Sequence, residues 1–222
     1  MVPVLNERQA LPRTLAQLTT MPEVSQIIVV DGGSTDGTLS WLAARPHAPW
    51  EVRHSSPGRG CQMNCGAAVA TGDVLLFHHA DTRFASSDLR ELQRRLADPQ
   101  VQWGGFRHRF TPPNWKLRLI SALHNWRCRV SGAVYGDQSM FVRRGFFESL
   151  GGFPEQGLED LQFSDLALAH APSVLLSDSV LTDSRKFRAI GEFRALWQVV
   201  SIVWRYEHDQ PIGNEGFFQP YR

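Results

Sequence analysis

Residues 26–38 read QIIVVDGGSTDGT, and this stretch decides the fold. Its opening β-branched run, 26–30, predicts a short strand that ends at Asp31 and two glycines. The residues beyond Asp36 and Gly37, 38–44, predict a helix. Because strand and helix signals alternate along the first half of the chain, we expect βαβ units and a parallel sheet. Asp31 then lies at the carboxyl end of a strand, where open α/β sheets bind their ligands.

The same alternation extends on both sides of this stretch. Further strands are predicted at 50–54, 74–78, 101–110, 138–142 and 174–176. Further helices are predicted at 61–70, 88–96, 117–130, 143–150, 163–169 and 186–206. The run at 74–78, VLLFH, is almost wholly apolar, as expected for a strand buried on both faces. Together these elements predict one α/β domain over residues 1–222, with a mostly parallel central sheet flanked by helices and a C-terminal helical arm.

Composition excludes several classes of protein. The chain of 222 residues has 23 Lys and Arg against 22 Asp and Glu, so it lacks the basic excess usual in nucleic-acid-binding proteins. Three cysteines are too few for a disulfide framework and favour a reduced, cytoplasmic setting; Cys61 and Cys65 are interpreted as small buried residues. The amino terminus has no signal-peptide pattern, and no apolar run is long enough for a transmembrane helix.

Carboxylates follow two of the predicted strands, and each has two interpretations. Asp31 is placed to accept hydrogen bonds from a ribose or a base N–H, or it belongs to a plain turn in which Ser34 or Asp36 caps the next helix. Asp81 is either a ligand of a divalent cation or a helix cap. His79, two residues earlier, faces the same side as Asp81 in an extended chain.

Two further segments carry charge beside glycines. Residues 58–60, GRG, begin like a dinucleotide fingerprint, but Met63 stands where the next glycine is required. Arg59 is placed to reach a phosphate or a base, or it is a solvated loop residue. Glu159 and Asp160 follow a Gly-Gly-Phe-Pro loop; an acidic pair there is also an ordinary charge pattern for a helix start.

Seven short motifs follow one another along nearly the whole chain. They are PVLNE (3–7), VVDGGSTDGT (29–38), RGxQMNxGA (59–67), HADT (79–82), GDQ (136–138), GGFPE (151–155) and ED (159–160). In this order they resemble the family 2 glycosyltransferases, inverting nucleotide-diphospho-sugar transferases with a GT-A fold. The details are most similar to the bacterial radical-SAM/selenodomain-associated group, which TxSRxF at 182–187 also matches.

This resemblance implies a metal-assisted enzyme that moves a sugar from a UDP- or GDP-sugar to an acceptor hydroxyl. Residues 1–82 would form the nucleotide-binding half, 83–185 the acceptor-side half, and 186–222 a C-terminal helix and tail. The residues implied to bind the nucleoside are Pro3, Asn6, Glu7, Asp31 and Arg59, with Asn64 near it.

The resemblance also implies the remaining roles. Asp81 would hold Mg²⁺ or Mn²⁺ at the diphosphate, as the only aspartate of this motif, because His79 replaces the first aspartate of the D-x-D in many relatives. Asp160 would be the general base and Glu159 would face away. Asp137 would orient the acceptor.

Two other functions remain open at this stage. A sugar nucleotidyltransferase would usually carry a basic, Gly-rich loop after the first strand, where residues 6–9 here read NERQ. A non-catalytic nucleotide-sugar-binding protein is disfavoured by the retained Asp31, Asp81 and Asp160. The short start before Pro3 is expected to weaken the sheet edge or the nucleotide site.

The predicted helix at 186–206 carries aromatic residues interspersed with arginines. For this surface we expect core or homodimer contacts ahead of peripheral contact with the inner face of a membrane. Residues 207–222 match no pattern.

Overall fold

A layered arrangement of eight strands and nine helices is seen in the computed structural model, which describes residues 1–155, 158–208 and 210. The strands are β1 Val2–Val4, β2 Ile28–Asp31, β3 Glu51–His54, β4 Val74–Leu76, β5 Thr82–Phe84, β6 Trp103–Thr111, β7 Phe141–Arg143 and β8 Val174–Asp183. The helices are α1 Leu11–Leu18, α2 Thr38–Ala43, α3 Arg59–Ala68, α4 Arg90–Leu96, α5 Trp115–Ser131, α6 Arg144–Ser149, α7 Glu159–Leu168, α8 Arg185–Ile190 and α9 Glu192–Glu207. A 3₁₀ turn, Gly136–Gln138, precedes β7.

The strands form a parallel sheet, β1-β2-β3, and a mixed sheet, β4-β7-β6-β8-β5. Met1 joins them: its ammonium donates to the Leu76 carbonyl at 2.7 Å, and its own carbonyl accepts from the His78 amide at 2.9 Å. Parallel pairing holds throughout the first sheet and between β6 and β8, whereas the other pairs are antiparallel. The short first strand is thus the outer strand of the parallel sheet, and Met1 links that edge to the residues of β4 and just beyond it.

Strands β1 and β2 are buried along their whole length. Successive side chains of a strand point to opposite faces, so both faces of this apolar run need cover. Val29 lies in the same cluster as the apolar side of α1, and Val30 faces α3. Gly66 allows that close approach, because a Cβ there would lie 3.1 Å from Val30 Cγ2. The carboxyl end of β2 is thereby fixed between two helices.

A cluster of buried phenylalanines packs the 151–155 loop and α7 together. Phe153 meets Phe77 and Phe163 with ring centroids 4.7 Å apart in both pairs, and Phe147 lies 5.5 Å from Phe163. Buried aromatic pairs at such distances stabilise beyond their buried area. The cluster holds the 151–155 loop against α7, which begins at Glu159.

Several elements differ from the sequence prediction. The helix at 186–206 is two helices, because Gly191 adopts φ 94° between α8 and α9. The strand at 174–176 continues to Asp183, since it pairs with both β6 and β5. Helix α1 was not predicted, although Leu11, Leu15 and Leu18 recur at helical spacing.

One face of α5 and one face of α9 are exposed although apolar. The exposed side chains are Trp115, Leu119, Leu123, Trp126 and Val130 on α5, and Phe193, Trp197, Val200 and Trp204 on α9. We expected core or homodimer contacts for the helix at 186–206, and its Phe193, Trp197 and Trp204 do not pack in the core. No helix within the described residues is both long enough and apolar enough to span a bilayer. Residues 211–222 of the predicted tail lie outside the described residues.

Candidate active site

The carboxyl ends of β1 and β2 build the first wall of the site. Asn6 adopts φ 58°, which turns the chain after β1. Its amide donates to Ser34 Oγ at 2.9 Å, and its side-chain oxygen accepts from the Thr35 amide at 2.8 Å. These bonds hold the 3–7 and 31–38 loops together, so the segments that carry Asn6 and Asp31 lie side by side.

Asp31 has one oxygen in use and one available. Oδ2 accepts from the amides of Gly33 at 2.8 Å and Ser34 at 3.0 Å. Oδ1 is buried and has no hydrogen-bond partner among the described residues. A buried acceptor without a donor is costly, and this oxygen is available to accept from a ligand N–H or O–H.

The turn interpretation applies to Asp36. Its Oδ1 accepts from the amide and the hydroxyl of Thr38, and its Oδ2 accepts from the Arg8 amide at 3.0 Å. These bonds order the start of α2 and tie it to the loop after β1.

Asp81 follows β4 on the same side of the sheet. Strand β5 begins at the next residue, so Asp81 is not the cap of a helix and that alternative is wrong. Burial and the charge of Asp81 together raise the pKa of Glu7 to about 7, against the opposing Arg185, whose Nη2 lies 3.2 Å from Glu7 Oε2. Glu7 and Asp81 thus bring two carboxylates close enough to repel each other. Their oxygen atoms are the kind of ligand that Mg²⁺ and Mn²⁺ prefer.

Arg59, the first residue of α3, forms an ion pair with Glu159, with Nε 2.6 Å from Oε1. Glu159 is buried and its carboxylate faces Arg59, although we expected Glu159 to face away from the site. Although burial opposes it, the charges of Glu159, Asp160 and Asp137 raise the pKa of Arg59. The guanidinium is thus a positive charge held beside these carboxylates.

Asp160 is held at the start of α7 by two backbone amides. Its Oδ2 accepts from Gly136 at 2.8 Å and its Oδ1 accepts from Leu161 at 2.9 Å. His79 lies over the same glycine: a Cβ on Gly136 would be 2.9 Å from His79 Nε2 and 3.3 Å from Asp160 Oδ2. Burial and the positive charge of Arg59 lower the pKa of His79, against the opposing charges of Asp81, Asp137 and Asp160.

Asp137, in the Gly136–Gln138 turn, faces two histidines. Its Oδ2 lies 3.6 Å from His108 Nε2 and its Oδ1 lies 3.6 Å from His124 Nε2. Burial alone would raise the pKa of Asp137, but the two histidines outweigh it and hold the pKa below its usual range. Burial lowers the pKa of His108 to about 4, whereas Asp137 outweighs burial at His124 and raises its pKa to about 10. Without a ligand, the ion pair is therefore between Asp137 and His124.

Asn64 and Pro3 are each held by contacts within the protein. The Asn64 side chain is bound to the backbone of Phe153: Nδ2 donates to the carbonyl at 2.8 Å and Oδ1 accepts from the amide at 2.9 Å. It therefore fixes the 151–155 loop. Pro3 is buried inside β1 opposite Val30.

His108, His124 and Arg185 also lie near these carboxylates; none of them was assigned a site role from the sequence, although Arg185 belongs to the TxSRxF motif. His108 lies on β6 and His124 on α5, where an isolated histidine has no informative spacing. A separate cavity of about 770 Å³ lies between α5, α7 and α9, next to Arg127, Tyr135 and Asp165. None of the predicted site residues lines it.

Residues 1–150 match the sequence model of Glycosyl transferase family 2. The chain belongs to this family. The family match includes every predicted site residue except Asp160, which follows its end.

Curated relatives agree with the family assignment. An undecaprenyl-phosphate 4-deoxy-4-formamido-L-arabinose transferase of Sodalis glossinidius is 24% identical over 151 residues, which are 64% of this chain and 46% of the relative. An uncharacterized glycosyltransferase of Mycobacterium tuberculosis is 33% identical over 87 residues, 38% of this chain and 33% of the relative. The chain thus spans less than half the length of these two relatives.

Solved structures of glycosyltransferases share the fold. S. aureus TarS, residues 1–349, superposes with a TM-score of 0.61 at 18% identity, covering 89% of this chain and 64% of that one. The mannosyltransferase PcManGT of Pyrobaculum calidifontis, in complex with GDP-Man and Mn²⁺, gives a TM-score of 0.65 at 20% identity, covering 89% of this chain and 58% of that one. The predicted α/β GT-A fold is confirmed.

Proposed function

We propose that this family 2 member transfers a sugar from a nucleotide-diphospho-sugar to an acceptor hydroxyl, with inversion at the anomeric carbon and Asp160 as the general base. The observation that carries this proposal is the position of Asp160. Its two oxygens are each held by one amide, from Gly136 and from Leu161. Each carboxylate oxygen can accept a second hydrogen bond, so Asp160 remains able to accept the proton of an acceptor hydroxyl.

The donor would lie across the ends of β1, β2 and β4. Asp31 Oδ1 is the buried acceptor for a base or ribose donor, and Asn6 keeps its loop closed against Asp31. Complexes of the neighbours with GDP-Man and with UDP-GlcNAc support a nucleotide-sugar donor. Residues 1–82 would thus bind the donor and residues 83–185 the acceptor.

Asp81 would hold the divalent cation, with Glu7 beside it. When bound, Mg²⁺ or Mn²⁺ would neutralise charge on the departing nucleoside diphosphate. Arg59 adds a fixed guanidinium to the same cleft, where its ion pair with Glu159 restricts its position. Mn²⁺ in the PcManGT complex supports a divalent ion of this kind. The motif details support placement in the radical-SAM/selenodomain-associated group.

A direct assay separates this function from the two alternatives. The full chain is incubated with UDP- and GDP-sugars and Mn²⁺, and release of UDP or GDP is measured with and without alcohol acceptors. Product NMR gives the anomeric configuration, which we expect to be inverted. Pyrophosphate release from an NTP and a sugar phosphate would instead indicate a nucleotidyltransferase. Tight nucleotide-sugar binding without turnover on any acceptor would indicate a binding protein.

We also propose that the exposed faces of α5 and α9 contact an anionic membrane surface, which would place a cytoplasmic protein at the inner membrane face. The two apolar faces meet where Trp115 and Phe193 lie 6.3 Å apart. Helix α5 contains four Lys or Arg residues and no Asp or Glu. Tryptophan beside Lys and Arg is typical of helices that lie at an anionic bilayer surface.

A homodimer through α5 is less well supported by this charge pattern. It would bring two unbalanced basic helices together, and like charges at an interface oppose association. The side of α9 that carries Ala195, Ile202 and Val203 already packs inside the protein.

A further inference from the structure

Two histidines and one aspartate converge behind the candidate active site, from three different elements. His108 comes from β6, His124 from α5 and Asp137 from the Gly136–Gln138 turn. One coordinating atom from each lies within 4.8 Å of the other two. Among the described residues, this is the single group of three or more such side chains with that geometry.

The side chain of Asn125 ties together the two elements that carry His108 and His124. Asn125, next to His124 on α5, accepts from the amide of His108 at 2.9 Å and donates to its carbonyl at 2.9 Å. This two-way bond joins α5 to β6 at the level of the histidines. The cluster is therefore pre-organised, as metal sites require of their ligands.

Three buried atoms of the cluster lack hydrogen-bond partners. Within the described part of the chain, neither ring nitrogen of His108 has one, and neither does Asp137 Oδ1. The side chain of His108 is 2% exposed, so bulk solvent does not reach its ring nitrogens. Burying polar atoms without partners is costly, and such groups in a native protein indicate an unseen ligand.

The two contacts of Asp137 are longer than hydrogen bonds and near the spacing of ligands on one metal ion. Both contacts of Asp137 are 3.6 Å, which is too long for a hydrogen bond. Nitrogen and oxygen ligands about 2.0–2.1 Å from a tetrahedral ion lie about 3.3 Å apart, so small side-chain movements bring these atoms onto one ion. An ion pair between His124 and Asp137 alone would leave His108 Nε2 without a partner.

We propose that His108, His124 and Asp137 bind a divalent transition-metal ion of the zinc type, at a site separate from Asp81. Two imidazoles and one carboxylate suit Zn²⁺, whereas Mg²⁺ takes oxygen ligands. The fourth ligand would be water. The ion joins β6, α5 and the turn that carries Gly136. If Asp160 is the base, as proposed above, the ion also fixes the amide that holds it.

Cobalt titration tests this site without relying on activity. The full chain, free of any histidine tag, is stripped with chelator, dialysed and titrated with Co²⁺ while the visible spectrum is recorded. We expect one equivalent to bind, with the intense d–d bands of a four-coordinate ion, and one equivalent of Zn²⁺ to displace it. Absence of such a one-to-one complex in the unsubstituted protein would overturn the proposal, whatever the glycosyltransferase assay shows.

Substitutions then locate the ion. His108→Gln and His124→Gln should each weaken Co²⁺ binding by at least about 100-fold, since loss of a second-shell partner alone costs roughly 10–100-fold. The matched control is His47→Gln at an exposed histidine, which should leave binding unchanged. Asp81→Asn should also retain the Co²⁺ bands.

Circular dichroism checks the fold of each variant. If both histidine variants misfold, Asp137→Asn takes their place. Unchanged bands in a folded variant of any of the three ligands would contradict the assignment.

Discussion

The backbone amide of Gly136 donates a hydrogen bond of 2.8 Å to Asp160 Oδ2. The two residues belong to the GDQ and ED motifs, so this bond joins two parts of the chain that the sequence singled out separately. The bond orients the Asp160 carboxylate at the start of α7. The position of the proposed base therefore depends on the Gly136–Gln138 turn.

Asp160→Asn should lower kcat by roughly 10²–10⁴-fold and leave donor binding almost unchanged. Asparagine keeps an oxygen for the Gly136 amide but is not basic, so the fold and the cleft survive. Steady-state kinetics and nucleotide titration measure the two effects. The comparison is Asp137→Asn: if that variant loses turnover while Asp160→Asn retains it, Asp160 is not the base.

Gly136→Ala should lower kcat by roughly 100-fold, because displacement of a catalytic group by about 1 Å has that effect. The added Cβ would lie 2.9 Å from His79 Nε2 and 3.3 Å from Asp160 Oδ2, so one of them must move. The control is Gly145→Ala in α6, where a Cβ meets no atom within 4 Å. Equal kcat values for the two alanine variants would show that Gly136 does not position Asp160.

Much of the donor side could be predicted from local sequence. The β-branched run before Asp31 allows only a strand, and the polar, glycine-rich residues after it predict a turn into a helix; both are local properties. Asp160 was likewise placed at a helix start by the loop before it. The motif order then supplied the fold family, which the structure confirms.

The contacts that complete the site could not be predicted in this way. Asn64 and Phe153 are 89 residues apart in the chain, and His108 meets α5 through a residue 17 positions away. Such pairs depend on how the sheet and helices pack together, and no local pattern encodes them. The break at Gly191 was missed because apolar residues continue at helical spacing on both sides of it.

Asn64→Ala should destabilise the protein by about 1–3 kcal/mol while leaving nucleotide affinity unchanged. Both polar atoms of the side chain bond to the Phe153 backbone, so alanine leaves a partly buried N–H and C=O without partners. Urea unfolding and nucleotide titration measure the two quantities. Asn64→Asp keeps the acceptor and loses the donor, so its stability should lie between those of Asn64→Ala and the unsubstituted protein. A loss of nucleotide affinity without a loss of stability would restore the donor-binding role that the sequence suggested.

Asp81→Asn should abolish the Mn²⁺-stimulated part of UDP or GDP binding, and excess chelator should do the same to the unsubstituted protein. The carboxylate of Asp81 contributes a negative charge to the cation site, whereas the amide of asparagine is neutral. Isothermal titration with and without Mn²⁺ measures this, with thermal melting as the check on folding. Asp73→Asn is the matched control, because the Asp73 side chain is 96% exposed. Full activity in chelator would mean that transfer proceeds without a metal.

Replacement of Trp126 and Trp197 by serine should weaken binding to phosphatidylglycerol vesicles by about 10-fold or more. Their side chains are among the most exposed apolar groups, at 64% and 73%, and lie on the α5 and α9 faces. The basic residues of α5 add an attraction that depends on anionic lipid, so raised salt or pure phosphatidylcholine should reduce binding of the unsubstituted protein. Leu166→Ser on α7, 38% exposed and outside both faces, is the control and should bind normally.

Light scattering measures whether the protein is a monomer or a dimer, and a dimer through this surface would contradict membrane contact. A protein that is dimeric without vesicles, becomes monomeric on the double substitution and fails to bind phosphatidylglycerol would show that a second copy covers this surface.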